Sequence, residues 1–100
     1  MVVITDIYGS QSAQRIVYLI YKGVDNPSFL SKTMKRSNQM ISKYLRRLED
    51  ENLINRNKKE KDARKTKISL TQKGIKFAIY SKDMIKIRTK INKLRKVKND

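Results

Sequence analysis

Two stretches decide the fold: Leu45-Arg46-Arg47-Leu48-Glu49-Asp50-Glu51-Asn52-Leu53-Ile54-Asn55-Arg56 and Asp62-Ala63-Arg64-Lys65-Thr66-Lys67-Ile68-Ser69-Leu70-Thr71-Gln72-Lys73-Gly74. The first changes period in its middle. Up to about Asn52 it continues an apolar face begun upstream, Ile41, Tyr44, Leu45 and Leu48, whose spacing of i, i+3, i+4, i+7 belongs to a helix. Beyond Asn52, Leu53-Ile54-Asn55-Arg56 is strand-like. In the second stretch Thr66 to Leu70 alternates, which places Ile68 and Leu70 on one face of a strand. The segment between the two strands, Asn57 to Lys65, is polar and mostly basic. Thr71 is a good N-cap for a last helix from Gln72 to about Val97.

Working outward, the pattern predicts two further helices. Ser10 or Ser12 caps the first. Ala13, Ile16, Val17 and Ile20 form its inner face, and Gly23 stops it. Asn26-Pro27 reads as an N-cap followed by Pro at the first helical position, where the missing N–H costs nothing. This second helix is short and offers Phe29, Leu30 and Thr33 to the core. Lys35-Arg36 make a tight turn, and Ser37 caps the third helix. Met1 to Gly9 form a short apolar lead-in, and Lys98 to Asp100 are expected to fray. The order helix, helix, helix, hairpin, helix is that of a winged helix-turn-helix. The expected class is mainly α with a small β-hairpin (α+β), followed by a long C-terminal dimerisation helix. Residues 1–76 form the winged helix-turn-helix domain in this reading. Residues 77–100 continue the long helix as a dimerisation coiled coil.

Charge narrows the function. The chain has 100 residues, with 25 Lys and Arg against 9 Asp and Glu, a formal net charge of +16. Such a field draws in polyanions. No stretch approaches the roughly 18 apolar residues that span a bilayer, and Met1 to Ile4 is too short for a signal peptide, so a cytoplasmic, nucleoid-associated protein is expected. There is no Cys and no His. Thiol nucleophiles, disulfides, the usual zinc sites and the commonest general base are therefore absent, and no metal or cofactor is expected.

The third helix carries a DNA-reading set of side chains. With Ile41 at zero and about 100 degrees per residue, Gln39, Lys43 and Arg46 point almost opposite the apolar face. Ser42 lies at the flank, and Ser37 and Asn38 begin the first turn. Arg and Lys suit guanine or phosphate, Asn and Gln suit adenine, and Ser suits either. The hairpin loop adds Arg56, Lys58, Lys59, Lys61, Arg64 and Lys65. Like charges at that density repel each other unless phosphates neutralise them.

The two quoted stretches resemble the motifs "L-x-x-L-E-x-x-G-L-I-x-R" and "D-x-R-x-x-x-V-x-L-T-x-x-G" of MarR-type winged helices. The spacing from Arg56 to Asp62 also agrees. The resemblance covers roughly Gln14 to Phe77. It implies a recognition helix from Ser37 for the major groove and a wing arginine, Arg64, for the minor groove. Asp62 would hold Arg64 or the wing backbone in place. Asn52 stands where the family usually has Gly, and Asn is the next best residue at positive φ. The long N-terminal dimerisation helix of that family has no counterpart in this sequence.

The last helix offers a substitute. Phe77, Tyr80, Met84, Ile87, Ile91 and Leu94 are spaced 3, 4, 3, 4, 3, the seam of a coiled coil. Phe77 is expected to pack on its own domain, leaving Tyr80, Met84, Ile87, Ile91 and Leu94 for a partner copy. Lys86, Arg88, Lys90, Lys93, Arg95 and Lys96 crowd the same helix, so an antiparallel homodimer, which separates the two basic ends, is preferred. This shape resembles the small basic winged-helix proteins of archaea and their viruses. The expected function is a dimeric transcriptional regulator on double-stranded DNA, not an enzyme. Low-specificity DNA coating and an RNA-binding or protein-interaction winged helix are the alternatives.

Overall fold

Ser10 accepts a hydrogen bond from the Ala13 amide at 3.2 Å, so Ser10, not Ser12, caps α1 (Gln11–Tyr21) in the computed structural model, which describes residues 6–57, 62 and 64–98. At the other end Gly23 takes φ 108. Its amide bonds Ile20 O at 3.0 Å, and that of Val24 bonds Leu19 O at 2.9 Å. Orphan carbonyls of the last turn are thereby satisfied. α2 (Pro27–Met34) begins at Asn26 and ends at Lys35, which is left-handed at φ 54. Ser37 caps α3 (Asn38–Asp50) by accepting from the Met40 amide at 3.1 Å.

α3 stops as α1 does, with Asn52 doing the work of Gly. Asn52 sits at φ 60, its amide bonds Glu49 O at 3.0 Å, and that of Leu53 bonds Leu48 O at 2.9 Å. The chain is thus turned directly into β1 (Ile54–Arg56), which pairs antiparallel with β2 (Ile68–Leu70) in the register Ile54↔Leu70 and Arg56↔Ile68. Both strands are shorter than expected, because Leu53, Thr66 and Lys67 lie outside the ladder. Thr71 then caps α4 (Gln72–Lys98). Its hydroxyl accepts from the Gly74 amide at 2.9 Å and donates to Asn52 O at 2.6 Å, tying the start of α4 to the end of α3.

The core lies where α1, α3 and the hairpin meet. Ile16, Val17, Leu30, Ile41, Leu45, Leu48, Leu53 and Ile54 are fully buried there, and α4 contributes Phe77 and Ala78. Each such aliphatic side chain stabilises the fold by about 1.5–3 kcal/mol. Two expectations for α2 need correction. Phe29 is 58% exposed and Thr33 is exposed. An eight-residue helix presents one narrow stripe to the core, and here Leu30 and Met34, one turn apart, occupy it. The lead-in also does more than expected. Ile7 is buried, and the Tyr8 ring meets Phe77 edge-on at 5.3 Å.

α4 packs along α1 as far as Arg88. Gln14, buried in α1, donates to Tyr8 O at 2.9 Å and accepts from Arg88 Nη2 at 2.8 Å. Beyond Arg88, residues 89–95 are all exposed. A helix of 27 residues is about 40 Å long, and the molecule measures 53 × 27 × 27 Å. The end of α4 therefore projects from the body. No helix among the described residues is long and apolar enough to cross a membrane.

Candidate nucleic-acid interface

α3 turns one face into the core and the opposite one to solvent. Ile41, Tyr44, Leu45 and Leu48 are buried. Asn38, Gln39, Ser42, Lys43 and Arg46 are exposed and together line a shallow concavity of about 490 Å³. The helical period thus brings five of the expected reading residues onto one surface, with Ser37 exposed at its head as the cap. α2 packs beside α3, and the left-handed Lys35 makes the turn between them. Ser31 Oγ donates to Arg36 O at 2.5 Å and the Arg36 amide donates to Ser31 O at 3.1 Å, which fixes that turn.

Wing residues Lys58, Lys59 and Lys61 lie outside the described residues. The arm that returns from the tip is ordered around Asp62. Asp62 Oδ1 accepts from the Arg64 amide at 2.9 Å and lies 3.5 Å from Arg64 Nε. Asp62 O accepts from the amides of Lys65 and Thr66 at 2.9 and 3.0 Å, and from Thr66 Oγ1 at 3.0 Å. The Arg64 amide, and then its guanidinium, hold the Asp62 carboxyl below the usual carboxylate range. The Arg64 side chain itself is 82% exposed, and Lys65 is exposed beside it. Asp62 thus orders the base of Arg64 and touches its Nε, while most of the side chain stays exposed.

Arg56 behaves differently from Arg64 and Lys65. Its Nη2 lies 3.0 Å from Glu49 Oε1, and both side chains are about three-quarters covered. It ties β1 back to α3. Lys67 reaches Asp25 at 3.8 Å but stays 77% exposed.

On α4, Tyr80, Ile87, Ile91 and Leu94 are exposed, between 46% and 69%, and Met84 is half-buried. Ile75 and Ile79 are exposed as well. They sit on the neighbouring face of the helix and were not singled out by the spacing.

Sequence comparison decides the family. The MarR family model matches residues 12–66, from α1 through the hairpin arm. The chain belongs to the MarR family. The MarR-family structures of Lactococcus lactis ZitR in complex with DNA (TM-score 0.69, 21% identity, 85% of this chain and 59% of that one) and Streptococcus pyogenes AdcR (TM-score 0.71, 20% identity, 85% and 64%) share its fold. So does Staphylococcus aureus MepR in complex with DNA, at TM-score 0.61 and 24% identity, over 83% of this chain and 60% of that one. The chain spans about three-fifths of the length of these proteins. No curated protein matches its sequence.

Two residues of this MarR-family chain take parts that pattern reading did not assign. Gln14 lies one residue after Ala13 on the inner side of α1, and a polar residue there signals a buried bond without naming its partner. Asn26 was legible as a cap only. Its side-chain amide nitrogen makes two further bonds, to Arg64 O at 2.6 Å and Thr66 O at 3.3 Å.

Proposed function

We propose that this MarR-family chain is a dimeric transcriptional regulator that binds a two-fold related DNA site. α3 enters the major groove and the wing lies over the adjacent minor groove and backbone. The observation that carries this reading is the α3 surface. Asn38, Gln39, Ser42, Lys43 and Arg46 share one exposed concavity, and they are the residue types that pair with base edges and phosphates. Exposed Arg64 on its Asp62-ordered arm and the net charge of +16 supply the cationic flank that DNA binding needs. The fold shared with ZitR and MepR, each crystallised with DNA, supports it.

The dimer rests on α4. A stripe of Tyr80, Ile87, Ile91 and Leu94 is exposed along α4, and Ile91 and Leu94 lie past its packing against α1. A large uncovered apolar patch on so charged a protein marks an interface. An antiparallel pair covers it and keeps the basic ends apart.

The charge alone also suits a protein that coats DNA without reading it. Selection from a pool of random duplexes, followed by titration of selected and random DNA, separates the two readings. A regulator shows a ratio of about 10³ or more. A ratio near one assigns the coating role, and no binding to either DNA overturns both.

A further inference from the structure

We infer that Asn26 is a positioning residue for DNA binding: its side chain starts α2 with one atom and holds the wing arm with another, so it sets the wing relative to the helix-turn-helix. The inference rests on the DNA-binding reading above. Asn26 is 6% exposed. Its Oδ1 accepts from the amides of Ser28 and Phe29 at 2.9 and 3.2 Å, the ordinary duty of an N-cap. Its Nδ2 reaches across the fold to the carbonyls of Arg64 and Thr66. The residue before it joins in. Asp25 O accepts from the Ile68 amide at 2.8 Å, and its carboxylate lies 3.8 Å from Lys67 Nζ. The link between α1 and α2 therefore runs along the returning arm of the wing and grips it at Arg64, Thr66 and Ile68.

The consequence is mechanical. Asp62 shapes the turn that carries Arg64 through bonds to Arg64, Lys65 and Thr66. β1 and β2 pair over only three residues each, and so short a ladder does little to fix the direction of what lies beyond it. Asp25 holds the arm at Ile68, and Asn26 adds the constraint nearer the tip, at Arg64 and Thr66, from the start of the same helix-turn-helix that presents Asn38, Gln39 and Arg46. One amide side chain suits both roles because it has an acceptor for the helix and two donors for the wing. Asp and Ser would cap as well, and neither carries the paired N–H donors.

That difference supplies the test. Asn26→Asp and Asn26→Ser keep the cap acceptor and remove the amide donors. Trypsin acting on the free protein should cut after Arg64 and Lys65 about tenfold faster in both variants, the loss of one to two net hydrogen bonds, with cutting in α4 unchanged. Affinity for a mixed-sequence DNA duplex of about three helical turns should fall by a similar factor. Combining either variant with Arg64→Ala should weaken binding no further than Arg64→Ala alone, because a wing without its arginine has nothing left to position. Circular dichroism at both ends of the comparison checks that α2 remains folded; if Asn26→Asp unfolds, Asn26→Ser decides. Unchanged trypsin cleavage in the folded variant, or losses that add to that of Arg64→Ala, overturns the inference. If wild type binds no DNA, the functional reading fails by itself, and the trypsin arm still decides whether Asn26 holds the wing.

Discussion

The Cα of Gly74 lies against the carbonyl of Leu53: a Cβ there would stand 1.9 Å from the Leu53 oxygen and 3.0 Å from its carbon. That oxygen cannot retreat freely, because it accepts from the Thr71 amide at 3.1 Å. α4 therefore crosses the start of the hairpin at a distance only glycine permits. Gly74→Ala should destabilise the fold by about 3 kcal/mol, at or above the upper end for overpacking, since the obstacle is backbone. Urea unfolding measures it, and a loss under about 0.5 kcal/mol would contradict the crossing.

Asp62 yields a pH dependence with a definite sign. Its carboxyl titrates below the ordinary 3.8, chiefly through the Arg64 amide. A depressed pKa means the turn gains from the charged form, fully above the ordinary value and not at all once pH falls through the lowered one. The Arg64 amide resonance should hold steady from neutral pH into mild acid, then move with a midpoint below 3.8. Asp62→Asn should abolish the transition. A midpoint above 3.8 would mean that the carboxylate is not held by the turn.

Gln39 and Lys43 face the same exposed concavity, whereas Lys86 sits on α4. Base contacts specify and phosphate contacts position. Gln39→Ala and Lys43→Ala should each lower the preference for selected over random duplex by about 1–3 kcal/mol. Lys86→Ala should shift both affinities equally, if at all. Equal losses on every sequence for Gln39→Ala and Lys43→Ala would remove them from the base-reading set.

Ile87 is 51% exposed on the projecting α4. Ile87→Glu should turn a dimer into monomers by sedimentation. It should also lose most affinity for a two-site DNA, because the second site is then no longer bound by the same molecule. Orientation is testable because the chain has no cysteine. In the antiparallel pairing Tyr80 meets Ile91 of the partner subunit. Tyr80→Cys with Ile91→Cys should therefore crosslink under oxidation while Ile91→Cys alone should not. Crosslinking by the single variant would establish a parallel pair.

Much of the fold was legible because its signals are short-range. Ser10, Asn26, Ser37 and Thr71 each cap a helix by bonding an amide two or three residues on, and that geometry needs no tertiary context. Asn52 could be read as a left-handed stop for the same reason. The α3 reading face followed from its period, since Ile41, Tyr44, Leu45 and Leu48 can be buried together only if Gln39, Lys43 and Arg46 point away.

The docking of those elements was another matter. Whether Phe29 or Met34 fills the core depends on how α2 rolls against its neighbours, and both choices are apolar and helical. Arg56 belongs to the same basic hairpin as Arg64, yet its end is held by Glu49, seven residues earlier on another element. Asn26 joins the wing across 38 residues of chain. Sequence by itself determined where the helices stop and, apart from the choice between Ser10 and Ser12, where they start, which face of α3 turns outward and what charge the surface carries. Only the tertiary structure decided which side chains cross between elements, because a hydrogen bond between distant residues depends on orientations set by the packing of the whole core and leaves no periodic trace in the chain.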